Sequence, residues 1–386
     1  MFYAIESKLY PTAAQVETLE SWLRSCCWVY NRALEQRIKA YKRRGESATL
    51  YSQFAMLTVW RERMPRLKSA PFAFQRDALR RVERGMQAFF RRIKAGERKA
   101  GFPRFRPHRR YNSLECLDTQ KFVRPGDFIH VPKLGLVKFR AGNQSFRGTQ
   151  KLLRIIRRAT GWYAQVLIDD GKPAPEKRPV ESSIGVDVGL NTFAALSNGE
   201  RIDNPRWGRK STRKLRSAQR RLSRTQKRSR NRRKAVARVR RVHEKVAAQR
   251  KDFCHQHSRL LVNRFDLIAV EKLNIKGLAR TRLAKSILDA AWGQFIAQLT
   301  YKAEYAGRQL VAVDPRGTSQ TCPDCGAVKK KSLSERTHEC TCGLTCDRDH
   351  AAASVVLLRA LASRRGVSPV EELASGNGLS VVKSAL

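Results

Sequence analysis

Acidic residues are scarce in this chain. Asp and Glu number 33 against 79 Lys and Arg, a formal net charge of +46 over 386 residues. A chain so short of anions repels itself unless a polyanion neutralises it, so nucleic acid is the expected partner. Long apolar runs are missing as well: no stretch reaches the ~18 residues of a membrane-spanning helix. The opening residues, MFYAIESKLYPTAAQ, have neither the basic start nor the apolar core of a secretory signal, so the expected location is the cytoplasm. Histidine is rare, with 7 scattered along the chain. That argues against a strand-transferring transposase with a nucleophilic Tyr in a His-rich setting. No internal repeat is visible.

Enough remains to build a protein. Hydrophobic residues make up 41% of the sequence, and the length suggests about two to three domains. A short strand (YAIESKLY) leads into helical patterns opening at Pro11-Thr12, then over 51–63 and 74–96, the last with a basic outer face. From about 101 the texture changes to GFPRFRPHRR and then short alternating runs punctuated by glycine, a β-barrel-like spacing. Residues 171–181 read as a linker. SIGVDVGL and TFAALSNG then form a hairpin. Residues 206–251 carry 21 Lys or Arg against the single acid Glu244 and read as two antiparallel helices broken near Arg230-Asn231. FDLIAVEKLN is a strand, ILDAAWGQFIAQLTYKAEYAG a helix, RQLVAVDP a strand and DRDHAAASVVLLRALASRRG a helix.

Three of the few acids stand where an apolar pattern has no use for them. Asp187 lies in strand IGVDVG, Glu271 in strand LIAVEKL, and Asp349 opens a helix in CDRDHAAA. An uncompensated buried carboxylate costs several kcal/mol, so a partner is required. Two hard divalent cations about 4 Å apart, held by a few carboxylates, neutralise the charge that develops in phosphodiester hydrolysis. Asp347 and Asp349 are both also suited to capping the helix that follows. Asp314 in VAVDPRG resembles Asp187 locally, but the proline after it makes a strand-end turn.

Five of nine cysteines crowd into 322–346. In a reducing compartment such crowding predicts metal, not disulfides. Cys322-x2-Cys325 and Cys340-x-Cys342 form two knuckles, with Gly326 and Gly343 allowing the turns. Four thiolates suit a closed, structural, tetrahedral Zn²⁺. Cys346 is an alternative to Cys342 as the fourth ligand. His338 reads as a surface residue. Cys26, Cys27, Cys116 and Cys254 read as buried packing.

The motifs KLYPTAAQ, GFPRF, HVPKLGLVKFR, IGVDVGLNTFA, IAVEKLNIKGL, TSQTCPDCG and ECTCGLTCDRDHAAA follow one another from residue 2 to about 360. In these the chain resembles the TnpB-type RNA-guided nucleases of bacterial transposons, relatives of compact type V CRISPR effectors. The resemblance implies a multidomain α/β protein. A RuvC nuclease core of the ribonuclease H fold would carry an inserted zinc ribbon, and an N-terminal β-barrel wedge domain would be split by a helical recognition domain. The implied boundaries are 1–10 for the first wedge strand, 11–100 for recognition, 101–181 for the wedge barrel, and 182–317 for the RuvC core with its basic insertion at 206–251. The zinc ribbon takes 318–346, the last RuvC segment 347–365, and a flexible tail 366–386. By motif position Asp187, Glu271 and Asp349 match the catalytic, Mg²⁺-binding acids. Ala351 and Val355 stand where the family often has asparagine.

The implied cofactors are two Mg²⁺, one Zn²⁺ and a guide RNA from the transposon end. The implied substrate is double-stranded DNA beside a short transposon-adjacent motif, cut in the bacterial cytoplasm at the nucleoid. Arg213, Lys214, Arg220, Arg221, Arg224, Lys227 and Arg228 are expected on nucleic-acid phosphates. Tyr51, Gln53, Phe54 and Gln75 are expected near the DNA motif. Trp28, Tyr30, Phe54, Trp60, Phe72 and Phe74 are available for base stacking, although helical spacing favours the core for most of them. The alternative function is a guide-RNA-bound DNA-binding repressor without cleavage.

Overall fold

The computed structural model describes residues 1–98, 100–117, 121–140, 142, 146–332 and 334–366. The tail expected to be flexible lies outside these residues from 367 onward. The chain divides into two compact units, Met1–Pro173 and Ala174–Leu386.

The first unit starts with β1 (Phe2–Tyr10) and α1 (Ala13–Arg44). A capping box opens α1: Thr12 Oγ1 accepts from the Gln15 amide, and the Gln15 side chain accepts from the Thr12 amide. Gly45, at φ +68°, closes it in the left-handed conformation that glycine adopts freely. The helices α2 (Leu50–Arg63), α3 (Pro65–Lys68) and α4 (Phe72–Lys94) follow. Leu19, Trp22, Leu23, Cys26, Val29, Tyr30, Ala33 and Leu34 recur at helical spacing and are buried. Trp22 meets Phe74 of α4 with ring centroids 5.7 Å apart.

Six more strands complete the unit: β2 (Ser113–Cys116), β3 (Val123–Arg124), β4 (Phe128–Val131), β5 (Gly135–Phe139), β6 (Thr149–Arg158) and β7 (Gly161–Asp169). They form an antiparallel sheet in the order β2-β6-β7-β1-β5-β4-β3. Along β7 the buried residues Trp162, Ala164, Val166 and Ile168 alternate with partly exposed ones, the period of a half-buried strand. Buried Asp77 of α4 accepts from Arg81 Nε at 2.5 Å and Arg84 NH2 at 2.7 Å, and Arg81 reaches on to Ser113 Oγ of β2 at 3.1 Å.

The second unit opens with β8 (Ser183–Val188), β9 (Thr192–Leu196) and β10 (Arg201–Asp203), an antiparallel meander. The basic stretch forms α5 (Trp207–Lys210), α6 (Thr212–Ser223) and α7 (Arg230–Arg264). Arg232 closes the turn between α6 and α7 by donating to the carbonyls of Leu222 and Thr225 at 3.3 and 3.1 Å. Next come β11 (Leu267–Glu271), α8 (Ile275–Leu278), α9 (Ala284–Ala290), α10 (Trp292–Tyr305) and β12 (Gln309–Val313). The single helix expected from ILDAAWGQF is thus two. Asp289 is drawn to the amides of Gly208 and Arg209 and to Arg250, and Ala291 at φ +60° turns the chain. A two-stranded ribbon, β13 (Thr337–Glu339) and β14 (Thr345–Asp347), runs directly into α11 (Arg348–Arg365).

The five-stranded sheet has the order β10-β9-β8-β11-β12, with β8, β11 and β12 parallel. Strand parity divides its faces. Ile184, Val186, Ile268 and Val270 join α7 and α10 in one core, where Phe193, Phe253 and Phe295 pack edge to face. Leu267 and Ala269 face the other way and join Val356, Leu357, Ala360 and Leu361 of α11. Gly185 lets α11 approach: a Cβ there would stand 2.0 Å from the Ala353 carbonyl oxygen and 2.9 Å from Leu357 Cβ. Gly185→Ala should therefore cost about 1–3 kcal/mol, or more if α11 cannot shift, read as a drop in melting temperature.

Candidate active site

The same parity places the acids. On β8, Asp187 is two residues beyond Gly185 and shares its face, toward α11. On β11, Glu271 is two residues beyond Ala269 and points to that face too. The parallel register pairs Ala269 with Gly185 and Val270 with Val186. One step further sets Glu271 beside Asp187 on neighbouring strands, about 4.8 Å apart at the backbone. Asp349 lies in the first turn of α11, the helix covering this face.

The charges register one another. The Asp187 carboxyl is pushed up to about 7, first by burial and then by the Glu271 and Asp349 carboxylates, while Arg348 pulls the other way. Glu271 is also raised by burial, and the Thr318 hydroxyl and Arg359 partly offset this. Thr318 Oγ1 donates to Glu271 Oε1 at 2.6 Å. Arg359 of α11 donates to the carbonyls of Asp314 and Arg316, both at 2.8 Å, which fixes the turn leading to Thr318. The two aspartates near the start of α11 have different tasks. Asp347 caps the helix, accepting from the amides of Asp349 and His350 at 3.0 and 3.2 Å, and pairs with Arg201 at 2.8 Å. The Asp349 carboxylate has, among the described residues, one long contact, to Arg348 at 3.5 Å. Among the described residues, no three carboxylate oxygens lie within 4.8 Å of one another; the four cysteines below do.

Sequence reasoning missed Thr318 and Arg359, because neither breaks a local pattern. Thr318 is visible only as a hydroxyl four residues ahead of the first knuckle. Thr318→Val should lower the cleavage rate about tenfold or more and raise the Mg²⁺ concentration needed, with Thr318→Ser restoring both. Rates measured across a Mg²⁺ titration check this.

The second cluster is the cysteine set. Cys322, Cys325, Cys340 and Cys342 offer ligand atoms all within 4.8 Å of one another. The Cys322–Cys342 and Cys325–Cys340 sulfurs are 3.6 and 3.5 Å apart, close to the ~3.8 Å edge of a tetrahedron with ~2.3 Å Zn–S bonds. The donors therefore fit zinc. Gly326 and Gly343 sit at φ +74° and +92°, and the Gly343 amide donates to the Cys340 carbonyl at 3.0 Å. The Cys340 thiol is lowered to about 6, chiefly because it accepts the Cys342 amide. Cys346 is outside the set, on β14 opposite His338. His338 is buried against Lys331, not at the surface as expected, because β13 packs on α11 as well as pairing with β14. Cys26, Cys27, Cys116 and Cys254 are buried packing residues.

The expected nucleic-acid residues divide. Arg213, Lys214, Arg220, Arg221, Arg224, Lys227 and Arg228 are all exposed on α6 and the turn after it. Arg213, Arg220, Arg221 and Arg224 line an open groove of 830 Å³. Tyr51 is exposed, and Phe54 lies under the guanidiniums of Arg76 and Arg80. Gln53 and Gln75 are fully buried, which corrects their expected place at a DNA surface. Gln53 accepts from Arg37 and donates to the Ala33 carbonyl, and Gln75 accepts from Arg61 and donates to the Leu67 carbonyl. Their amides brace the helices and have no edge left for a base. Of the aromatic residues, Tyr30, Trp60 and Phe74 are core. The histidines are less scattered than they read, since His255 and His257 form a His-x-His pair. They sit on α7, where residues two apart face different ways, and the His257 ring packs tilted against Phe253, centroids 4.3 Å apart.

A mixed five-stranded sheet with acids on one face, four clustered cysteines whose sulfurs fit a metal, and exposed basic helices together define a class of protein suited to nucleic-acid chemistry. Residues 165–282 match the family profile OrfB_IS605, described as a probable transposase. Residues 292–356 match the Cas12f1-like TNB domain, and residues 1–46 a helix-turn-helix domain of OrfB_IS605. In this chain 1–46 is a strand and one long helix, not two helices. A Streptomyces pristinaespiralis protein named for RNA-guided DNA endonuclease activity is 30% identical over 392 residues, covering 98% of this chain and 95% of its own length. InsQ of Escherichia coli K12, named likewise, is 27% identical over 356 residues, 87% of each chain. The solved mini RNA-guided endonuclease CRISPR-Cas phi3 aligns over 96% of this chain and 93% of its own, at 9% identity and a TM-score of 0.47. The chain belongs to the TnpB-type family of transposon-encoded proteins, relatives of type V CRISPR effectors.

Proposed function

We propose that this protein is an RNA-guided DNA endonuclease that cuts target DNA beside a short transposon-adjacent motif by Mg²⁺-dependent phosphodiester hydrolysis. The observation that carries the reading is that Asp187 on β8 and Glu271 on β11 face α11, which bears Asp349 in its first turn, and that Asp187, raised to about 7 first by burial, is raised further by the other two carboxylates. The strand order, three antiparallel strands followed by two that run parallel to the third, is the one expected of a ribonuclease H-type RuvC core and supports this reading. Members of the family with the acids lost would bind and repress; here all three acids are present.

Asp187, Glu271 and Asp349 would hold two Mg²⁺, which when bound neutralise the attacked phosphate and lower the pKa of an attacking water. Thr318 orients the Glu271 carboxylate by its hydrogen bond. Asp347 fixes the start of α11 and so sets the direction of Asp349. The products would carry 5′-phosphate and 3′-hydroxyl ends. Cys322, Cys325, Cys340 and Cys342 would hold one Zn²⁺. The helices α6 and α7 would carry phosphates of guide RNA or heteroduplex, while base pairing to the guide selects the sequence.

We assign residues 1–10 and 101–181 to a wedge domain, 11–100 to recognition, 182–317 and 347–365 to the RuvC core, and 318–346 to the ribbon. The place of action would be the bacterial cytoplasm, at the nucleoid. The test is to purify the chain with its RNA, sequence that RNA, and supply matching double-stranded DNA with Mg²⁺. Guided cuts support the reading; metal-independent binding without cuts supports the repressor instead.

A further inference from the structure

The segment GFPRF, residues 101–105, takes part in neither metal centre. It is nevertheless firmly held. Pro103 lies against Gly85, where an added Cβ would come to 3.3 Å, and Arg92 donates to the Gly101 carbonyl at 2.6 Å. The Tyr30 hydroxyl donates to the Arg104 carbonyl at 3.3 Å, and the Arg106 amide donates to Asn31 Oδ1 at 2.8 Å. A segment pinned to α1 and α4 would be expected to bury its aromatic rings, and it does not. Phe90 is 56% exposed, Phe102 41% and Phe105 54%. Phe89 joins two of them, with ring centroids 5.3 Å from Phe90 and 5.1 Å from Phe102.

Phe90 and Phe102 are linked through Phe89, and Phe105 is exposed three residues further along the same pinned segment; single exposed apolar side chains are ordinary, but several such rings rimmed by charge mark a binding surface. The rim here is of one sign: residues 91–110 hold nine Lys or Arg against one acid, Glu97. Arg91, Lys94, Arg98, Arg104, Arg109 and Arg110 are exposed. An ordinary protein partner has no use for so much positive charge. A double helix satisfies the cations but hides the faces of its bases. A polyanion with unpaired bases satisfies both, because phosphates meet the rim and bases stack on the rings.

We propose that Phe90, Phe102 and Phe105 form a stacking platform for unpaired bases of the RNA this protein carries. The inference rests on the guide-RNA reading and adds a site to it. RNA is the occupant because a carried RNA presents loops and bulges continuously, whereas target DNA arrives as a duplex.

The experiment uses the full chain with two probes, a 12-nucleotide oligoadenylate RNA (within the ~4–16 nucleotide range of single-strand sites) and an RNA duplex of equal length. Phe102→Leu combined with Phe105→Leu keeps apolar bulk and removes the rings. The expected result is about a tenfold or greater loss of affinity for the single strand. Duplex affinity and the slope of affinity against salt should be unchanged, because the phosphate contacts remain. Phe102→Tyr combined with Phe105→Tyr keeps the rings and should bind like the native chain, which separates stacking from a folding defect. Equal losses on both probes, no loss on the single strand, failure of the tyrosine variant, or a larger loss on single-stranded DNA of the same sequence overturns the proposal. Asp187→Ala must bind oligoadenylate normally. A working platform in a chain that never cuts DNA overturns the nuclease reading alone.

Discussion

Asp187→Ala is expected to lower guided cleavage by on the order of a thousandfold or more, about 4 kcal/mol of transition-state stabilisation, without changing RNA binding. Asp187 is the acid whose charge state responds to the other two. Removing it leaves two carboxylates, too few to hold a pair of cations against phosphate repulsion. A second consequence separates this role from a structural one. Free of metal, the site is a buried set of like charges, so Asp187→Asn should stabilise the fold by about 1–2 kcal/mol while abolishing cutting. Melting in EDTA should show the asparagine variant ahead, and added Mg²⁺ should raise the melting temperature of the native chain but not of the variant. Retained cleavage in Asp187→Ala would end the assignment.

The acids were legible in the sequence because each violates a strand or helix pattern: a carboxylate inside IGVDVG or LIAVEKL needs an explanation that an exposed one does not. Their side of the sheet follows from parity once register is known, but register is a property of pairing and could not be read from either strand alone. Thr318 and Arg359 were illegible for the opposite reason. Their residue types are common, and their meaning lies entirely in what they touch, Glu271 and the carbonyls of Asp314 and Arg316. The two buried glutamines misled because an amide serves equally well as a base reader and as an internal brace. Only burial distinguishes the two, and α2 and α4 bury Gln53 and Gln75 completely. The split of α9 from α10 depends on Asp289 finding amides some eighty residues earlier in the chain, at Gly208 and Arg209, which no local window contains.

Cys322→Ala should have the second largest effect. The ribbon has almost no core of its own: Cys322 and His338 are among its few buried side chains. Its folding must come from metal, which supplies ~10–16 kcal/mol in small zinc modules. Both ends of the ribbon adjoin the three acids. Thr318, four residues before Cys322, is bonded to Glu271, and β14 runs without a break into the helix that carries Asp349. The variant should lose its zinc, become sensitive to protease within 318–346, and cut DNA about a hundredfold more slowly, with all three acids intact. Zinc content by mass spectrometry and cleavage rate on the same preparation check it. Full activity with no zinc would mean that the ribbon does not hold the acids in place.

The most direct test of convergence is a crystal of the protein soaked with Mn²⁺ in place of Mg²⁺, read by anomalous scattering. The expected result is manganese density bounded by the carboxylates of Asp187, Glu271 and Asp349, absent in Asp187→Ala. Manganese bound elsewhere, or three acids pointing away from one another in a well-ordered core, would contradict it.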